Sequence, residues 1–311
     1  MNILITGIHG YVGSNLVNAF KDENTIFGLD IISTQMSGVF KVFNTNELND
    51  IPDVDVVIHL AGKAKETNDF SEALAYFQSN TILTQNIFNW FAQSSAKTFI
   101  FFSSVKAATN EVKTLPLTED MEPNPFGVLG ESKLMAERYI LSRYMVDKKV
   151  FVLRPSIIIG NGGLGNRNLR WMYQCAKKGY PFPFGKFECS RSFTTIDNLT
   201  YILKKMSATE MPSDIYNVAD DGFLTLNEVF EIMCSVLQKK ARIWRLNKGF
   251  VKFVSKIGTE LHFSFDDYKY KRLSCNFKVS NEKIKKALGI KKMPVSTVLG
   301  MENAIRDFKI N

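Results

Sequence analysis

Cysteine is scarce in this 311-residue chain: Cys175, Cys189, Cys234 and Cys275 are its four, and no two form a C-x-x-C pair. A zinc ribbon and a dithiol redox pair are therefore excluded, no metal site is expected, and a reducing, cytoplasmic home is the simplest reading. Long apolar runs are also lacking. The opening Met1-Asn2-Ile3-Leu4-Ile5-Thr6-Gly7 is shorter than a signal-peptide core, and nothing later approaches the ~18 residues that cross a bilayer, so neither export nor a membrane partner is expected. Charge is only mildly one-sided, with 39 Lys and Arg against 31 Asp and Glu for a net +8. Clusters at Lys239, Lys240, Arg242 and at Lys283, Lys285, Lys286, Lys291, Lys292 come with no nucleic-acid motif and read as solvated helix faces. The positive balance suits an anionic ligand. An apolar share of 45% and a charged share of 23%, with no repeat or low-complexity tract, exclude disordered and fibrous classes.

What the chain does have is an alternation of short apolar runs with segments of helical period, the pattern of parallel strands joined by crossover helices. Ile3–Thr6, Ile26–Asp30, Val54–Leu60, Thr98–Ser103 and Val150–Leu153 read as buried strands, with helices over Tyr11–Lys21, Ala73–Ala92 and Ser132–Met145. The fold class is α/β, a doubly wound parallel sheet. After Arg154-Pro155 the texture changes to a stretch rich in glycine, with Gly160, Gly162, Gly163 and Gly165, followed by an aromatic segment and basic helices. The expected division is residues 1–160, with returning segments near 193–219, and a smaller mixed α/β unit over 161–311.

The turn Thr6-Gly7-Ile8-His9-Gly10-Tyr11-Val12-Gly13 lies between the first strand and the first helix. Its glycines let backbone amides, including those of Tyr11 and Val12, approach a pyrophosphate at a positively polarised helix N-terminus. Asp30, with Ile31 after it, closes the second strand, where a carboxylate accepts hydrogen bonds from the adenosine ribose and repels a 2′-phosphate. NAD is expected over NADP, although His9 introduces a basic side chain into the same turn.

With these elements the sequence resembles the extended branch of the short-chain dehydrogenase/reductase superfamily: the nucleotide-sugar epimerases, dehydratases and 4-ketoreductases. Asp55-Val56-Val57-Ile58-His59-Leu60-Ala61-Gly62 resembles the family's fourth strand, which implies that Leu60, Ala61 and Gly62 lie beside the cofactor. Asn80-Thr81 and Thr84 resemble the next helix, and Leu153-Arg154-Pro155 with Gly160 a later strand and turn. In Phe102-Ser103-Ser104-Val105-Lys106, Ser104 falls at the catalytic serine position. Gly165–Leu169, Pro183-Phe184-Gly185, Arg191-Ser192-Phe193, Asp197-Asn198 and Tyr216-Asn217-Val218-Ala219 are similar to second-domain landmarks. The resemblance implies a Rossmann-type fold, a cytoplasmic homodimer, and a nucleoside diphosphate sugar, UDP-linked by preference, as substrate for polysaccharide biosynthesis. It assigns Ser104, Lys106, Asn168 and Arg191 to that substrate, the last two to its diphosphate.

The family's working group is Tyr-x-x-x-Lys. Gly130-Glu131-Ser132-Lys133-Leu134-Met135-Ala136-Glu137 resembles the lysine side, so Lys133 takes the lysine's role in catalysis and cofactor binding. Four residues earlier stands Leu129, which shares a helical face with Lys133 and has no titratable proton. Tyr139 lies ~240° around the helix from Lys133 and faces elsewhere. Ser104, Lys106, a water or a substrate hydroxyl are the alternatives for proton transfer. Val105-Lys106 after Ser104 departs from the Asp-Glu of the 4,6-dehydratases, favouring redox or epimerisation at one carbon. Two readings stand: an NAD-dependent nucleotide-sugar epimerase or 4-ketoreductase/dehydrogenase, and a catalytically impaired binding protein acting as sensor or partner subunit.

Overall fold

Strands that bury both faces need apolar residues at nearly every position, and the runs Ile3-Leu4-Ile5 and Phe99-Ile100-Phe101-Phe102 supply them. A computed structural model describes residues 1–308 apart from 66, 68, 113–115, 144, 165, 166 and 261–266; the landmark at Gly165 thus lies outside the described residues. Among the described residues, β1 (Asn2–Thr6), β2 (Thr25–Asp30), β3 (Lys41–Asn44), β4 (Val56–His59), β5 (Thr98–Phe102) and β6 (Lys149–Pro155) join β10 (Ile215–Val218) in a seven-stranded sheet. Its order is β10-β6-β5-β4-β1-β2-β3 and every pairing is parallel. The sheet is doubly wound, with the order reversing between β1 and β4 and opening a crevice at their carboxyl ends.

Alternate strand residues feed two cores. On one side Ile3, Ile5, Ile100 and Leu153 pack against α1 (Tyr11–Phe20), α6 (Ile196–Ala208) and α10 (Glu282–Leu288). On the other, Leu4, Val57, Phe99 and Val152 meet α3 (Leu83–Gln93) and α4 (Val128–Leu141). A third core gathers α5 (Arg167–Lys178), α7 (Leu226–Val236), α8 (Lys248–Glu260), α9 (Asp267–Ser274) and α11 (Thr297–Phe308) around Phe182, Phe187 and Phe230. Outside the large sheet β7 (Ile157–Ile159) pairs with β9 (Phe193–Thr195) and β8 (Ser190–Arg191) with β11 (Leu224–Thr225), and an isolated bridge joins Arg191 to Phe277.

Helical periodicity predicts one unbroken helix over Ala73–Ala92, and the structure departs from it. Helix α2 (Ala73–Tyr76) runs into a π-helical turn over Phe77–Ile82 before α3 begins. The wider turn faces Asn80 and Thr81 inward, where Asn80 Nδ2 donates to Ser132 Oγ at 3.0 Å and Thr81 Oγ1 to the Ser132 carbonyl at 2.8 Å. Helix α4 likewise begins at Val128, four residues before the expected Ser132, because Gly127 at φ +94° turns the chain and the Glu131 carboxylate accepts the Gly127 N–H at 3.0 Å. Leu129 and Lys133 therefore share one helix. β3, a four-residue edge strand, carries too little pattern to stand out in the sequence.

Helix α4 is held by a buried ion pair. Arg154 of β6 donates to Glu137 of α4 through Nε at 2.9 Å and Nη2 at 2.5 Å, both side chains 1% exposed, and the Ser103 hydroxyl donates to the same carboxylate. Removing one member leaves the other charge buried alone, which costs about 3–5 kcal/mol. Glu137→Ala is accordingly expected to lower unfolding stability by about that amount in urea titrations, with Arg154→Met/Glu137→Leu recovering most of it.

Candidate functional site

The glycine turn between β1 and α1 is shaped by close approach. Gly7 has φ +68°, and a Cβ there would lie 2.9 Å from the Ala61 Cα; one on Gly13 would lie 2.6 Å from the Gly7 oxygen. Any larger residue at either place would push β4 or α1 away. Gly10 is the N-cap of α1 and no side chain caps that end, so the first-turn amides and the helix dipole face the crevice. Such a cradle fits a pyrophosphate. Val12 packs half-buried on the core, and the Tyr11 hydroxyl donates to the Gly163 carbonyl at 3.2 Å, tying the turn to the second glycine stretch. Burial, then Asp307 and Asp197, push that phenol above its ordinary value.

Asp30 closes β2 beside the turn. Its Oδ1 accepts the Ile31 amide at 2.7 Å and its Oδ2 the His9 amide at 3.1 Å, while Ile31 itself is exposed. His9 Nε2 lies 2.9 Å from the Thr34 carbonyl, which can only accept, so that nitrogen carries the hydrogen. Nδ1 faces Asp30 Oδ2 at 3.3 Å.

At the end of β4 a chain of hydroxyls fixes His59. The Ala61 amide donates to Thr6 Oγ1 at 3.1 Å, and Thr84 Oγ1 donates to the Asn80 carbonyl at 2.7 Å. With the Thr84 proton so engaged, its oxygen accepts from His59 Nε2 at 2.8 Å, leaving Nδ1 to accept from Thr6 Oγ1 at 2.7 Å. The ring is neutral and fully buried, and burial, reinforced by Lys133, pushes its pKa down to about 3. His59 is thus a buried brace that holds Leu60, Ala61 and Gly62 at the crevice rather than a group that reaches into it.

Gly62, at φ +146°, gives the next contact: a Cβ on it would lie 3.4 Å from Lys133 Nζ. That amine donates to the Phe102 carbonyl at 2.9 Å and lies 4.9 Å from the Phe101 ring centre. Burial pushes its pKa down to about 8, against the opposing pull of Glu137. Asn80 locks the same corner by accepting the Lys63 amide at 2.8 Å. Beyond β5, Ser104 is half-buried and its Oγ accepts the Lys106 amide at 3.2 Å, whereas neighbouring Ser103 is committed to Glu137. A Cβ on Gly130 would lie 2.4 Å from the Lys106 oxygen, so the serine turn presses directly on α4. Ser104, Lys133 and the ends of β4 and β5 are in this way brought together.

Leu129 is 7% exposed and packs with Val128 and Tyr76, whose hydroxyl donates to the Lys65 carbonyl. Tyr139 faces away, donating to Asn89 at 2.7 Å. Lys106 extends its amine over the Phe277 ring at 4.5 Å, and the Phe277 backbone forms a bridge with Arg191, so both basic residues adjoin one segment of the chain. Asn168 stands exposed in the first turn of α5. Sequence reasoning missed Phe277, as well as the Glu137–Arg154 pair. A lone arginine in the apolar run Val150–Pro155 and an acid four residues after Lys133 were the available signals for the pair. A recess of about 560 Å³ opens at the opposite end of the sheet, around Met1, Phe20, Lys149 and Lys204, away from all of these residues.

A family described as NAD dependent epimerase/dehydratase matches residues 3–219. The UDP-glucose 4-epimerase of Vibrio cholerae is 27% identical over 261 residues, covering 79% of this chain and 78% of the relative. The GDP-6-deoxy-D-talose 4-dehydrogenase of Aggregatibacter actinomycetemcomitans is 22% identical, covering 81% and 85%. Among solved structures, MoeE5 in complex with UDP-glucuronic acid and NAD superposes with TM-score 0.79 at 17% identity, over 100% of this chain and 99% of that one. The UDP-glucose 4-epimerase of Thermotoga maritima with UDP-glucose gives 0.77 at 20%, with the same coverage.

The His59 brace has a pH signature. Its folded pKa, about 3, lies below the ordinary 6.5, so under pH 6.5 the unfolded chain binds a proton that the folded one refuses. Stability from this group is complete above pH 6.5 and is lost as pH falls toward 3. His59→Gln is expected to be less stable than wild type at pH 7 and to show a flatter loss between pH 6.5 and 4, measured by urea unfolding across that range.

Proposed function

The chain belongs to the NAD dependent epimerase/dehydratase family, and on that footing we propose that it is an NAD-dependent nucleotide-sugar epimerase or 4-ketoreductase/dehydrogenase. A UDP-sugar is the preferred substrate class, used in supplying a surface polysaccharide. The observation that carries this reading is the buried Lys133 amine, held by the Phe102 carbonyl beside Gly62 and next to the turn of Ser104. NAD, when bound, exchanges hydride with the sugar carbon that carries the reacting hydroxyl. Gly7, Gly10 and Gly13 leave room for the pyrophosphate, the Tyr11, Val12 and Gly13 amides face it, and Asp30 accepts from the adenosine ribose. Ile31 borders the adenosine, and Leu60, Ala61 and Gly62 border the reacting ring. Lys133 donates to the nicotinamide ribose and keeps positive charge beside the site. Ser104 holds the sugar hydroxyl; Lys106, Asn168 and Arg191 act on the substrate, Arg191 offering a planar fork to its diphosphate.

Leu129 occupies the helix position one turn before Lys133, where a phenol would exchange the hydroxyl proton. A missing acid/base of this kind lowers turnover by roughly 10²–10⁴ without removing the cofactor site. The burial of Leu129 against Tyr76 and Val128 favours the second reading, a binding protein that retains both ligand sites and has lost hydride chemistry.

Product analysis of a panel of nucleotide sugars, with NAD or NADH supplied, separates the two: the enzyme reading expects one sugar to be converted, to its epimer with no net change at 340 nm or to a redox product with a rise or fall there, and the binding reading expects no conversion. In direct titration NADH is expected to bind more tightly than NADPH, and the reverse order would remove Asp30 from its assigned role. Leu129→Tyr is expected to raise turnover on the reacting sugar by roughly 10²-fold or more. If the wild type is already fast and the substitution leaves it so, turnover and NAD affinity of Ser104→Ala and Lys106→Ala identify the proton carrier, as the variant that loses the first and keeps the second.

A further inference from the structure

The strongest unexplained surface lies on α8 and the segment leading into it. Residues 239–256 hold seven Lys and Arg, namely Lys239, Lys240, Arg242, Arg245, Lys248, Lys252 and Lys256, without one Asp or Glu. All seven are exposed. Helix α8 is seated on the third core by Val251, and Ser255, one turn on, is fully buried. By the ~100° step of a helix, Phe250, Phe253, Val254 and Ile257 fall in one stripe on another side, and Lys248, Lys252 and Lys256 form a ridge beside it. The stripe is bare: the four are 57%, 62%, 39% and 39% exposed. Trp244, four residues before the helix, is also 57% exposed.

We propose that α8 lies on the surface of a bilayer rich in anionic lipid, its apolar stripe entering the headgroup boundary and its lysines meeting the lipid charges. A 13-residue helix with an exposed apolar stripe and a basic ridge has the two features that hold interfacial helices, buried apolar area and attraction to anionic headgroups. Solvation alone accounts for the lysines but not for two phenylalanines left in water beside them. Charge also argues against a second copy of this chain, because a two-fold contact through the stripe sets two unbalanced basic surfaces against each other. The lack of a spanning segment does not bear on this, since among the described residues no helix crosses a bilayer and none is needed to lie on one.

Flotation with phosphatidylglycerol/phosphatidylcholine vesicles, against phosphatidylcholine alone, tests the proposal. The full chain is expected to float with the anionic vesicles, to stay behind with the neutral ones, and to be released by high salt. Phe250→Ser/Phe253→Ser and Lys252→Glu/Lys256→Glu are each expected to weaken binding roughly tenfold or more, with thermal unfolding unchanged because the replaced side chains are exposed. No flotation with anionic vesicles overturns the proposal. So does a serine variant that floats like wild type, which marks a purely electrostatic surface for another polyanion or an acidic protein. A concentration-dependent oligomer that the serine variant dissolves, without vesicle binding, assigns the stripe to a second copy instead.

Discussion

A guanidinium and a carboxylate buried between β6 and α4 set the position of almost everything that follows. Arg154 and Glu137 have no water to return to, so each requires the other at hydrogen-bond distance, and α4 must lie where Glu137 meets both Arg154 and Ser103. One turn earlier on that helix is Lys133, which is thereby delivered to the Phe102 carbonyl and to Gly62. Another turn earlier is Leu129. The same ion pair that secures the lysine therefore also aims the leucine, and no sliding of the helix could exchange them for another pair.

The carboxyl ends of β1 and β4 are joined to α3 and the turn before it by small neutral groups. Thr6, His59, Thr84 and Asn80 pass hydrogen bonds in one direction, each donor finding one acceptor, so a polar string lies inside an apolar core without an unmet partner. Keeping His59 uncharged there is part of the arrangement, because a second positive charge would stand beside Lys133. The cost is that the brace depends on a single tautomer, whereas the glycine turn above it depends only on the absence of side chains.

The serine turn and the short strand of Arg191 meet at the segment around Phe277. Its ring receives the Lys106 amine, its backbone bridges Arg191 through hydrogen bonds with Ser190 and Ser192, and its side chain joins Val105, Ala108 and Ala219 in a small core. The serine turn is thus packed between α4 on one side, through Gly130, and a late segment of the chain on the other. Residues 104–106 and Arg191, far apart in the sequence, thereby adjoin the same segment, Lys106 through the Phe277 ring and Arg191 through its backbone.

Periodicity and glycine spacing were enough, from the sequence by itself, to determine a doubly wound sheet, the turn over Gly7, Gly10 and Gly13, Asp30 at the end of β2, and the shared helical face of Leu129 and Lys133. Each of these is local: a strand buried on both faces is a continuous apolar run, and i to i+4 neighbours need only the helix. The extra turn that points Asn80 and Thr81 inward, the neutral state of His59, the burial of Glu137 with Arg154 and the approach of Phe277 to Lys106 are different. They join residues tens to more than a hundred positions apart, and whether a polar group is buried, or a phenylalanine such as Phe253 left in water, depends on which segment packs over it. Only the tertiary structure decided those, because burial and its electrostatic consequences belong to neighbours in space and not in sequence.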